Sequence, residues 1–145
     1  RYAEVLLNYA EALAAATQNP DFTGMKGEVE YTLSPREALN AVRARYNMPG
    51  ITETDYAAFV KRLRNERRVE LAFEGHRFWD IRRWKIGAET TKVYGLTITP
   101  QNDGSFSYMR SVIQQRGWED RMNFYPIADA ELFKKHNLVQ NDGWK

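Results

Sequence analysis

Leu63-Arg64-Asn65-Glu66-Arg67-Arg68-Val69-Glu70-Leu71-Ala72-Phe73-Glu74-Gly75-His76-Arg77-Phe78-Trp79-Asp80-Ile81-Arg82-Arg83-Trp84 interleaves charges with large apolar side chains. The mixing is so close that a helical face burying the aromatics must bury ions as well. From Lys61 to Lys85 there are nine Lys/Arg against four Asp/Glu, and the remaining chain carries twelve against fifteen. A net charge of +2 therefore conceals a basic central element in a slightly acidic body. Such an element is either a paired salt-bridge core or a basic surface.

On a helix of 3.6 residues per turn, Phe59, Leu63, Glu66, Glu70 and Phe73 fall along one stripe. Val60, Leu63, Arg67, Glu70 and Glu74 fall along its neighbour. The carboxylates at 66, 70 and 74 repeat every four residues and repel one another unless cations intervene. Arginine suits that task, because its planar fork binds a carboxylate through two hydrogen bonds. The favoured reading is a structural ion-pair network of Glu66, Arg67, Glu70, Glu74, Arg77, Asp80, Arg82 and Arg83. It would pin the third helix to a short helix after Gly75, since buried charges must be paired.

Two other readings of the same residues are weaker. A pair among Glu66, Glu70, Glu74 and Asp80 has the residue types for glycoside cleavage, but carboxylates among arginines are held ionised and make poor general acids. Trp79 and Trp84 with the arginines have the types for a nucleic-acid groove, but the interleaved acids repel phosphate. The chain is therefore read as neither an enzyme nor a nucleic-acid binder. Cysteine is absent, which removes disulfides, thiolate metal sites and cysteine nucleophiles. Glu74-Gly75-His76 and the distant His136 match no metal-ligand spacing, and no HExxH, GxSxG, P-loop or GxGxxG occurs. No metal and no cofactor is expected.

At 145 residues and 43% hydrophobic, the chain is one domain's worth of sequence with enough apolar side chain for a core. No apolar run approaches the roughly 20 residues needed to cross a bilayer. The first residues, Arg1-Tyr2-Ala3-Glu4-Val5-Leu6, are already inside a helical pattern, so the chain is read as the C-terminal part of a longer protein.

The first helix is predicted over Arg1–Gln18, with Tyr2, Leu6, Tyr9 and Leu13 as its apolar stripe. Ala3, Ala10 and Ala14 offer a small-residue surface over which another helix can approach. Asn19-Pro20 ends it, and a loop is expected to Leu33. Ser34 as N-cap, Pro35 in the first turn and Glu37 closing a capping box start a second helix with Leu39, Val42 and Tyr46 on its face. A third opens near Thr52–Asp55 and carries Tyr56, Phe59, Val60 and Leu63 into the charged run. Gly75 breaks it, and His76–Trp84 forms a further short helix.

After Lys85 the period changes. Tyr94, Leu96 and Ile98 alternate with small residues, Pro100–Gly104 reads as a turn, and Phe106 and Tyr108 alternate on a returning strand. Met122–Ile127 reads as extended and Asp129–His136 as a short helix. The expected fold is mainly α: tetratricopeptide-like helical hairpins over 1–85, then an irregular cap with a small β hairpin over 86–145.

Arg64–Trp84 strongly resembles the C-terminal signature of the SusD/RagB family. Arg1-Tyr2-Ala3-Glu4-Val5-Leu6-Leu7-Asn8-Tyr9-Ala10-Glu11-Ala12 looks like the helix that precedes it. Phe124-Tyr125-Pro126-Ile127 and Leu138–Trp144 resemble the family's closing segment, departing from it at Ala128, where the family usually has a second proline, and near Asp142, where it often has another. The resemblance implies a non-enzymatic surface lipoprotein of the bacterial outer membrane, in the manner of the Bacteroidetes. It would be attached through a lipid anchor upstream of this chain. It further implies binding of glycans, or in some branches peptides, and their delivery to a SusC-like TonB-dependent transporter. A helical repeat scaffold that binds another protein and no small molecule is the alternative.

Sugar recognition uses aromatic faces against C–H surfaces and polar side chains for hydroxyls. The ligand-binding candidates are therefore Tyr94, Phe106, Tyr108, Arg110 and Trp118, all in the irregular part where loops carry function. Glycan contacts are expected there and not from Glu66 to Trp84, with at least one of Tyr108 and Trp118 open to solvent.

Overall fold

The computed structural model describes residues 1–134 and 137–144. Its helices are α1 (Tyr2–Thr17), α2 (Pro35–Ala44), α3 (Tyr56–Glu70), α4 (His76–Arg83) and α5 (Asp129–Leu132). Its strands form two antiparallel hairpins, β1 (Gly24–Lys26) with β2 (Val29–Tyr31) and β3 (Lys92–Pro100) with β4 (Phe106–Gln115). The chain is mainly α, as the residue periods predict. It divides into two compact units, Arg1–Arg77 and Phe78–Lys145. The division falls inside α4, upstream of the change of character after Lys85.

In the first unit α1 packs against α2 and α3. The alanine surface is the buried side of α1: Ala3, Ala10 and Ala14 are buried together with Leu6, Leu7 and Leu13. Tyr2, placed on the apolar stripe by its spacing, is exposed, and Tyr9 sits at the rim of the core. Small side chains bring α2 close, and Leu39 and Val42 then meet Leu7 in the same cluster. Phe59 and Leu63 of α3 close that cluster and are fully buried, each worth about 1.5–3 kcal/mol of burial.

The start of α2 forms as its residues dictate. Ser34 Oγ accepts from the Glu37 amide at 3.2 Å, and Glu37 Oε2 accepts from the Ser34 amide at 2.8 Å. The helix closes at Ala44, so Tyr46 falls beyond it and is exposed. Asp55 caps α3 by accepting from the Ala58 amide at 2.8 Å. From Leu71 to Gly75 the chain turns through two left-handed residues, Phe73 (φ 65°) and Gly75 (φ 80°). At Phe73 that conformation costs about 1–2 kcal/mol.

The stretch read as a loop to Leu33 instead holds β1 and β2. Three-residue strands are too short to show an alternation. Gly27 (φ 63°) makes their turn.

In the second unit β3 and β4 form a long ribbon. Its turn is closed by the Gln101 amide donating to Ser105 O at 2.9 Å, with Gly104 at φ 81°. A one-residue bulge at Ile113 separates the pairs Val93–Gln114 and Tyr94–Val112. Gly95 makes room for it: a Cβ there would stand 2.6 Å from Ile113 Cγ2.

Asp120–Asn123, part of it read as extended, is a short 3₁₀ turn. The helix expected to reach His136 runs over Asp129–Leu132, and residues 135 and 136 lie outside the described ones. The closing segment is held by side-chain amides. Gln140 donates to Ile127 O and accepts from its amide, at 2.8 and 2.7 Å, and Trp144 Nε1 donates to Arg121 O at 3.0 Å. Among the described residues no helix is long and apolar enough to cross a membrane.

Candidate functional site

The ribbon register decides which candidates share a surface. Tyr94 lies opposite Val112, Leu96 opposite Arg110, Ile98 opposite Tyr108 and Pro100 opposite Phe106. Directly opposed residues point to the same face, and so does every second residue along a strand. Four of the five predicted residues, Tyr94, Phe106, Tyr108 and Arg110, therefore stand on one face.

That face is open: Tyr94 is 47%, Phe106 55% and Tyr108 64% exposed. The Arg110 guanidinium lies 4.0 Å from the centre of the Tyr94 ring, a cation–π contact that orders both side chains. The ribbon tip is stiffened by Asp103, which accepts from the Ser105 hydroxyl at 2.6 Å and the Ser105 amide at 2.9 Å. These bonds, the hydroxyl's first, hold the Asp103 carboxyl below its ordinary range.

Trp118, the fifth, is elsewhere, in the loop after β4. Its indole lies on Gly87 so closely that a Cβ there would fall 1.8 Å from Cε2. Partly exposed, the ring lines a cavity of about 270 Å³ with Phe78, Arg82, Thr90, Arg116 and Met122. Two of these, Phe78 and Arg82, come from the charged run that the sequence reading excluded from ligand contact. The signal for them is visible only in hindsight: a Phe and an Arg four apart on a short helix share a face.

The charged run itself is distributed over several partners. Glu66 pairs with Arg43 of α2 at 2.5 Å, with both side chains largely buried. Glu70 and Glu74 both meet Arg1, the former at 3.5 Å. Arg67 donates to Asn8 Oδ1 at 2.7 Å, and the buried Asp80 accepts from Arg83 Nε at 2.8 Å. Arg77 is half-buried.

Arg1 and Arg43 were not among the cations named for these carboxylates, because nothing local in the sequence points to elements so distant. Arg82, grouped with the ion pairs, rests on the Phe78 ring at 3.6 Å from its centre. Aromatic faces compete with carboxylates for a guanidinium at low desolvation cost. Among the described residues no group of three His, Cys, Asp or Glu could hold a metal ion.

The SusD family model matches residues 1–144. SusD-like protein P2 of Formosa agariphila is 32% identical over 146 residues, covering 98% of this chain and 24% of its own length. A crystal structure of a SusD-like protein from Bacteroides fragilis superposes with a TM-score of 0.74 at 35% identity, over 99% of this chain and 25% of that one. The chain thus spans about a quarter of the length of the relatives it matches. With the signature run, the preceding helix and the closing segment matched in one order, the chain belongs to the SusD family.

Proposed function

We propose that this chain is part of a protein that binds extracellular nutrient, most of all oligosaccharide, at the bacterial outer-membrane surface. In this reading it passes the ligand to a SusC-like TonB-dependent transporter. It binds and does not cleave, and a lipid outside this chain holds it to the membrane. Family membership supports nutrient uptake in general terms. The observation that carries the glycan reading is the open ribbon face.

There Tyr94, Phe106 and Tyr108 present rings, and Arg110 is held against one of them with hydrogen-bond donors to spare. Rings of this kind meet the C–H faces of pyranoses while a guanidinium satisfies hydroxyls. The test is a thermal-shift screen of the chain and of the full-length protein against soluble oligosaccharides and peptides. Saccharide-dependent stabilisation supports the proposal. Silence across sugars, with retention of another protein, favours the helical scaffold instead.

A further inference from the structure

The Trp118 cavity has a charge imbalance that the glycan reading does not use. Arg82 and Arg116 both line it, and no carboxylate does. Among the described residues neither arginine has an ion-pair partner: Glu119 pairs with Arg121 at 2.9 Å and Asp80 with Arg83 at 2.8 Å, while Glu89, next to Thr90, is not part of the lining. Arg82 Nη1 donates to Phe78 O at 2.9 Å, while its Nε is buried without a hydrogen-bond partner. Arg116 Nε reaches the Gln114 amide oxygen at 3.4 Å, a long contact.

The hydroxyls of Thr90 and Thr91 donate to Gly87 O and Ala88 O, at 2.7 and 3.0 Å. Their lone pairs are left to accept. The remaining wall is apolar, with the Trp118 ring fixed against Gly87.

At about 270 Å³ the space lies just under the roughly 300–1,000 Å³ of sites for drug-sized ligands, so it holds one ring and not a chain. A neutral ring filling it would keep water from the half-buried Arg82 guanidinium, whose Nε already lacks a partner, without pairing it, which is unfavourable. A ring carrying a carboxylate removes that penalty through charge-assisted hydrogen bonds.

We infer that this cavity takes a single anionic sugar unit, a pyranose bearing a carboxylate. Its ring lies against Trp118 and its carboxylate on Arg82 and Arg116. The inference deepens the glycan reading and rests on it, adding an acidic sugar to the ligand class at a place distinct from the ribbon face.

The experiment follows the indole N–H resonance of Trp118 in the isotope-labelled chain during titration with sodium glucuronate, glucose and sodium acetate. Tyr94 and Tyr108 are followed in parallel with neutral oligosaccharides. Glucuronate is expected to shift the Trp118 signal saturably, with glucose and acetate each about tenfold weaker or more. Arg116→Gln, at an exposed position, is expected to bring glucuronate down to the level of glucose without unfolding the chain.

Equal response to glucuronate and glucose, equal response to acetate, or unchanged affinity in Arg116→Gln overturns the inference. Oligosaccharide shifts at Tyr94 or Tyr108 with Trp118 still under glucuronate overturn it alone and leave the ribbon reading standing. A glucuronate site at Trp118 beside a silent ribbon supports it and removes the ribbon. Silence everywhere overturns both.

Discussion

The Arg43 guanidinium joins three parts of the first unit: it leaves α2, donates through Nε to Pro49 O at 2.8 Å, and meets Glu66 of α3 through Nη1. Both charged side chains are largely out of water, so the pair matters less for its own attraction than for what its loss leaves behind. Arg43→Ala is expected to lower the unfolding free energy by about 3–5 kcal/mol, since it strands the largely buried Glu66 without its partner. Replacing both residues with Met and Leu is expected to recover most of that loss. Urea unfolding checks both, and a drop below about 1 kcal/mol for the single variant would show that the pair is solvated.

Gly87 is the second residue on which a local arrangement turns. Gly87→Ala drives a methyl into the Trp118 ring and is expected to displace it from the cavity wall. The readout is a loss of the Trp118 indole signal at its native position while the other resonances stay. An unmoved indole would contradict the packing.

At the level of elements, the capping box of α2 offers a prediction with a pH dependence. Ser34→Ala removes an acceptor from the first turn and is expected to cost about 1 kcal/mol. In the native chain the Ser34 amide, and then its hydroxyl, hold the Glu37 carboxyl below its ordinary range. A carboxyl lowered in the folded state adds stability above its unfolded value, and that stability is lost as pH falls through the lowered folded value. Acid titration is expected to narrow the gap between wild type and Ser34→Ala without closing it, since protonating Glu37 removes only the bond from the Ser34 hydroxyl and leaves the hydroxyl accepting from the Glu37 amide. Parallel curves would show that Glu37 is not coupled to the cap.

This cap was legible in the sequence because every group in it lies within four residues, and so were the opening of α3 near Thr52–Asp55 and the alternation of β3 and β4. What was not legible depends on distance. Nothing local says that Tyr2, on the apolar stripe by its spacing, stays exposed, and three-residue strands carry no period. No spacing rule pairs Glu70 with Arg1.

Over the whole molecule, the candidate site was legible in residue type but only in part in arrangement. Alternation alone puts Phe106, Tyr108 and Arg110 on one face of their strand, and the register of β3 with β4 is what joins Tyr94 to them. Trp118 looked like one of the same set because it follows them closely in sequence. Its packing on Gly87 and beside Arg82 places it in a second, differently charged surface.

A two-stranded ribbon gains little stability from its own open face. Its exposed rings can therefore be replaced with small cost to folding, which makes them good tests of binding. The most direct measurement is calorimetric titration of the best stabilising oligosaccharide into full-length wild type and into a Tyr94→Ala/Tyr108→Ala variant, each first shown to be folded by circular dichroism. The account predicts an affinity at least about tenfold weaker in the variant, from two lost ring contacts. Equal affinity in the two proteins would contradict it.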